Sequence, residues 1–146
     1  MKAVVLNKIT EGKDIVLSDV LIPDVRPGWV LVKVKAFGLN HSEKLLRLNE
    51  IRADYIQKPV IPGIECVGEI VDPSDSGLAV GQKIVALMGG MGRSFNGSYA
   101  EYALLPRRIV FPINSELSWE ALGAAWIYRT FGVLRKSVPP LLLQPC

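Results

Sequence analysis

Apolar and polar positions alternate in short runs along most of the chain up to Pro112. Trp29 to Ala36 places Val30, Val32 and Val34 on one side and Lys33 and Lys35 on the other, the period of a strand with one buried face. Val4 to Leu6 and Ile15 to Val20 are shorter β-rich runs around the polar turn Glu11-Gly12-Lys13-Asp14, a hairpin signal. Ile64 to Val71 follows Pro62-Gly63 and holds Gly68 in its interior, which marks a bulge or the close approach of another backbone. Ile84 to Leu87, Gly97 to Leu105 and Ile109 to Phe111 complete the strands, with a glycine-rich loop at Met88 to Asn96. Two helices interrupt this pattern. Lys44 to Leu48 is short. The other follows Pro112, with Ser118 as N-cap, Glu120 in its first turn, and Trp119, Leu122, Ala125 and Trp126 on one face. It extends to near Lys136, because Pro139-Pro140 forbids continuation. Many short strands with one helix inside and one at the end predict an α+β, mainly β domain with a partly open barrel.

The 146 residues fit one domain, 49% of them are hydrophobic, and the mean hydropathy of +0.28 is high for a small soluble monomer. The formal charge of +3 is scattered, and Arg107-Arg108 alone makes no nucleic-acid stripe. Cys66 and Cys146 are too few for a disulfide framework or a closed zinc site, and Cys66 reads as a small hydrophobe. The start reads as no signal peptide and no apolar run reaches membrane-span length, so the expectation is a soluble, cytoplasmic chain with no nucleic-acid or membrane partner.

One stretch gathers chemistry. Ala36-Phe37-Gly38-Leu39-Asn40-His41-Ser42-Glu43 lies between a strand end and a helix start and delivers an amide, an imidazole, a hydroxyl and a carboxylate in sequence. Such junctions commonly carry sites, but Asn40 or Ser42 could equally be a helix cap.

This block, with Pro62-Gly63-Ile64-Glu65-Cys66-Val67-Gly68 and Asn96-Gly97-Ser98-Tyr99-Ala100-Glu101-Tyr102, resembles the GroES-like catalytic domain of medium-chain dehydrogenases/reductases over roughly residues 1 to 134. Zinc members carry Gly-x-Cys-His-Thr-Asp and Gly-His-Glu, whose cysteine and histidine hold the metal. Here Asn40 and Ile64 stand at those two positions. Isoleucine cannot bind a metal and an amide binds zinc poorly. The pattern is similar to the zinc-independent quinone oxidoreductase branch, and the Met88-Gly89-Gly90-Met91-Gly92-Arg93 stretch strengthens that likeness.

The resemblance implies hydride transfer from NADPH to a quinone or an α,β-unsaturated carbonyl, with no zinc. Asn40 is implied in contact with the nicotinamide ribose or the substrate, His41 with the cofactor pyrophosphate, and Thr130 with the cofactor. Ser42 matches a hydroxyl used for proton relay in zinc members. Glu43 would orient its neighbours, and Tyr55 lies where relatives present an aromatic. Glu65 reads as a buried structural acid; Tyr99 and Tyr102 alternate faces, so at most one can face a site.

Residues 1–117 are thus expected to form the GroES-like catalytic domain, and 118–146 a connecting helix and a tail that departs from the family. Arg129-Thr130-Phe131-Gly132 is one residue short of the family's Thr-Ala-aromatic pattern. No glycine-rich strand-turn-helix follows, so no Rossmann domain is expected in this chain. Two functions follow: the catalytic domain of an NADPH-dependent oxidoreductase, inactive and binding NADPH weakly or not at all as this chain, or a stand-alone GroES-like binding or assembly module. The apolar residues from Trp119 onward, with Leu141-Leu142-Leu143, predict a homodimer or larger assembly.

Overall fold

The computed structural model describes residues 1–130, with side chains to Ala124. Seven strands and two helices follow in order: β1 (Lys2–Val4), β2 (Leu17–Asp19), β3 (Trp29–Ala36), α1 (His41–Leu48), β4 (Glu65–Asp72), β5 (Lys83–Leu87), β6 (Tyr102–Pro106), β7 (Val110–Pro112) and α2 (Trp119–Thr130). Strands β1 and β2 pair antiparallel, and the others form a five-stranded sheet in the order β6-β3-β4-β5-β7. This is the expected mainly β, partly open barrel. The β1–β2 connection is not a tight hairpin. A short 3₁₀ turn at Gly12–Asp14 and the approach of Arg47, whose guanidinium donates to the Thr10 carbonyl at 2.8 Å, hold a longer excursion instead.

The middle strands are apolar on both faces, because each face has its own cover. Val30, Val32, Ile70, Ile84, Met91, Leu105 and Val110 form the largest core cluster. Val67 and Val85 belong to another cluster with Leu122 and, partly buried beside them, Trp119. A third cluster, Leu6, Leu46, Ile51, Ile56 and Val60, lies beneath α1. Gly68 shows why a side chain is forbidden mid-strand. A Cβ there would collide with the Lys33 carbonyl of β3, next to a register shift between Val34 and Ala36.

The Gly97–Leu105 run begins as bends. Its ladder with β3 starts at Tyr102, with a further bond from the Val34 N–H to the Glu101 carbonyl at 2.9 Å, while Ala100 makes an isolated bridge to Ala3. This segment therefore crosses between the two sheets rather than lengthening one.

Helix α2 starts as expected: Ser118 Oγ accepts the Ala121 N–H at 3.2 Å. Ser118→Ala should lower stability by about 1 kcal/mol in urea unfolding, whereas Ser118→Asp should hold it near the parent value. The described part of the apolar stripe packs inward. Leu122 is buried on Val67 and Val85, and Trp119 lies between the Lys35 and Lys83 ammonium groups at 5.9 and 5.3 Å from its ring. These two residues are therefore already covered by their own barrel. The helix end expected near Lys136, the tail 137–146 and Leu141-Leu142-Leu143 lie outside the described residues, as does the side chain of Trp126.

Candidate functional site

The polar block occupies the N-terminus of α1, which begins at His41, three residues earlier than periodicity alone predicts. Asn40 is the N-cap residue, in extended backbone conformation. Glu43 sits three positions on, the spacing of a capping box. Its Oε2 accepts the Asn40 N–H at 3.0 Å, and its Oε1 accepts the Ile64 N–H, 21 residues away, at 3.1 Å. One buried carboxylate thus ties together the two backbone positions where zinc members carry their ligands. Glu43 is only 5% exposed. Burial raises its pKa, against the lowering pull of its backbone hydrogen bonds and of the Arg93 charge.

Asn40 also engages the strand opposite. Its Nδ2 donates to Glu65 Oε1 at 3.2 Å. Glu65 is half-buried at the start of β4 rather than a buried structural acid. Its main-chain carbonyl accepts a 2.6 Å bond from Ser98 Oγ, which is fully buried. Next in sequence, Tyr99 stacks on Phe37 with ring centroids 4.5 Å apart and points its hydroxyl at the Gly38 carbonyl, 3.4 Å away. Burial, then the charges of Glu43 and Glu65, push the Tyr99 phenol well above its ordinary pKa. It stays protonated at neutral pH and can donate a proton to a hydrogen bond there. Tyr102 faces elsewhere, as the alternation predicts.

Three motifs distant in sequence meet here because glycines let their backbones touch. Gly63 has φ +107°, and a Cβ on it would strike Ser98 and Tyr99. A Cβ on Gly92 or on Gly97 would strike Gly63 in turn. Bonds from the Gly97 N–H to Ile61 and from the Tyr99 N–H to Pro62, 2.7 and 3.0 Å, hold the crossing closed.

Arg93 is the functional neighbour that the sequence did not single out. Its Nε donates to Glu50 at 2.8 Å, and its Nη2 donates to Ser42 Oγ at 3.0 Å. Ser42 therefore accepts from a cation and keeps its own proton to donate. These partners lie 43 and 51 residues away in sequence, so no local signal could have paired them. His41 is exposed on the first turn of α1, and Tyr55 is exposed on a separate segment. The Thr130 side chain lies outside the described ones. Cys66 is buried, its thiol pushed up to about 12, which leaves it an inert hydrophobe.

Among the described residues, no group of three or more His, Cys, Asp or Glu side chains could hold a metal ion. Nor do they offer a pyrophosphate cradle. The glycine-dense stretch forms turns at Gly89, Gly90 and Gly92, all with positive φ, between β5 and β6, and opens no helix.

The chain is similar to known proteins over most of its length. A quinone oxidoreductase of Lama guanicoe is 32% identical over 115 residues, covering 74% of this chain and 31% of its own length. The structure of the quinone oxidoreductase from Thermus thermophilus, also solved with NADPH, is 31% identical with a TM-score of 0.64, over 85% of this chain and 36% of that one. Human synaptic vesicle membrane protein VAT-1 homolog-like protein superposes with a TM-score of 0.72 at 27% identity, over 85% of this chain and 38% of that one. The chain thus spans about a third of the length of each of these three relatives. Residues 26–115 match the alcohol dehydrogenase GroES-like domain, and that match includes β3 to β7 with every motif assembled above, so the chain belongs to this family of oxidoreductase N-terminal domains.

Proposed function

We propose that this chain is the catalytic domain of a zinc-independent, NADPH-dependent oxidoreductase acting on quinones or α,β-unsaturated carbonyls. The observation that carries the reading is the joint placement of Asn40 and Ile64: Glu43 accepts from the backbone of both positions where zinc members carry their ligands, and an isoleucine offers no metal donor while an amide binds zinc poorly. NADPH would supply the hydride when bound. The chain's own residues orient the reactants and steady the oxygen that gains charge on the acceptor. Asn40, half-exposed and fixed by Glu65, is the residue for the nicotinamide ribose or the substrate. Ser42, held by Arg93, keeps a hydroxyl proton available to donate. His41 is free to meet the cofactor from the solvent side.

NADPH titrated into the labelled chain and followed by amide NMR tests this placement. Weak binding, shifting Asn40, His41 and Ile64, is expected. Micromolar binding, or shifts confined to other parts of the surface, would overturn it. Zinc is expected to stay below about a tenth of an equivalent after dialysis, as measured by metal analysis; one retained zinc per chain near Asn40 would contradict the zinc-independent assignment.

A further inference from the structure

A cleft of about 370 Å³ opens on another part of the barrel and includes none of the residues of the polar block. Its walls include Trp29, Phe95, Arg26, Gln57 and Tyr102, and none of its lining residues is acidic. Asp19, beside the lining Val20 in sequence, is taken by Lys2 at 2.6 Å, and Asp24, between the lining Pro23 and Arg26 in sequence, makes no ion pair with Arg26 among the described residues. The volume lies at the lower end of the range of about 300 to 1,000 Å³ for small-molecule sites.

The polar heads of this cleft are held at the backbone and left open at their tips. Gln57 donates its backbone N–H to the Arg93 carbonyl at 2.9 Å, Tyr102 pairs with Lys33 in the sheet, and the Arg26 carbonyl accepts from Trp29 at 3.1 Å. Among the described residues, the side chains of Arg26, Gln57 and Tyr102 make no hydrogen bond or ion pair. Asn96 is different, because its Oδ1 is taken by the Ile61 N–H at 2.9 Å.

The Arg26 guanidinium lies 3.9 Å over the Trp29 ring, and Phe95 abuts that ring edge-on at 5.2 Å. Stacking uses the guanidinium face and fixes its plane. The in-plane N–H donors remain, and their fork matches a carboxylate. Trp29 and Phe95 with the aliphatic wall suit a flat apolar body, while Gln57 and Tyr102 add neutral donors at the rim.

We propose that this cleft is a second binding site, for a small planar aromatic carboxylate, with Arg26 as its anion-binding residue. The proposal goes beyond the hydride-transfer reading and shares no residue with it.

The probe is 2-naphthoate, titrated into the whole chain and followed by NMR at the Trp29 indole N–H and the Phe95 amide. Naphthalene-2-carboxamide is the neutral control. Both signals should shift with 2-naphthoate, and the amide should bind about tenfold more weakly. Arg26→Gln and Leu21→Glu, both at exposed positions and the latter placing a negative charge at the wall, should each weaken 2-naphthoate about tenfold and leave the amide unchanged. Equal affinity for acid and amide, equal affinity in the variants, or no shift at Trp29 and Phe95 at millimolar probe would overturn the proposal.

Discussion

Gly63→Ala is expected to destabilise the chain by about 4 kcal/mol or more, enough to unfold much of it at physiological temperature. Two costs act together. The φ of +107° lies where L side chains rarely go, and the new Cβ would meet the backbone N of Ser98 at 2.8 Å and crowd Ser98 Oγ and the Tyr99 ring. Neither obstacle can swing aside, because Ser98 is fully buried and bonded to Glu65, and Tyr99 is stacked on Phe37. The control is Gly77→Ala. That glycine also has a positive φ, +74°, but nothing lies within 4 Å of its Cβ position, so only the conformational cost of about 1 to 2 kcal/mol applies. Urea midpoints of the two variants separate the terms. Equal losses would show that the crossing of the three motifs is not close-packed.

Glu43→Ala should cost about 2 kcal/mol, because it strands two part-buried donors, the N–H groups of Asn40 and Ile64. Glu43→Gln keeps one acceptor and should cost roughly half as much. The pH dependence carries a sign. Burial raises the folded-state pKa of Glu43 above its unfolded value. Between those two values the native chain holds more protons than the unfolded one, so this group's contribution is full below the unfolded pKa and declines as pH rises through the folded pKa. The deficit of Glu43→Gln relative to the parent should therefore be largest near pH 4 and shrink toward neutrality. A deficit that grows with pH would mean that the carboxylate is stabilised, not strained, by its site. Loss of the Asn40 and Ile64 amide shifts in either variant would tie the energy to the two bonds.

Much of this architecture could be read from residue pattern. Strand β3 lies where its alternation places it, β4 and β5 lie where their apolar runs place them, Gly68 does mark a close backbone approach, and Ser118 caps α2. The apolar period starts α1 a turn late, at Lys44, because Asn40 to Glu43 has none, whereas Asn40 as a helix cap, one of the two roles open to it, places the start at His41. The Asn-x-x-Glu spacing was the signal available. Glu65 is half-buried and not a buried structural acid, because a residue at a strand's first position can face a junction rather than the core. The Ser42–Arg93–Glu50 linkage depends on chain segments brought together only by folding, which one sequence does not encode locally. The Gly97–Glu101 segment alternates like a strand, yet its backbone is shared between two sheets.

The proposed hydride transfer is tested most directly by NADPH oxidation with 1,2-naphthoquinone in excess EDTA, using a polypeptide that carries this sequence in cis with a dinucleotide-binding domain. Turnover should be insensitive to the chelator and fall about a hundredfold in Asn40→Ala, with the fold retained. No turnover, turnover that EDTA abolishes and zinc restores, or an Asn40→Ala variant as fast as the parent would contradict it.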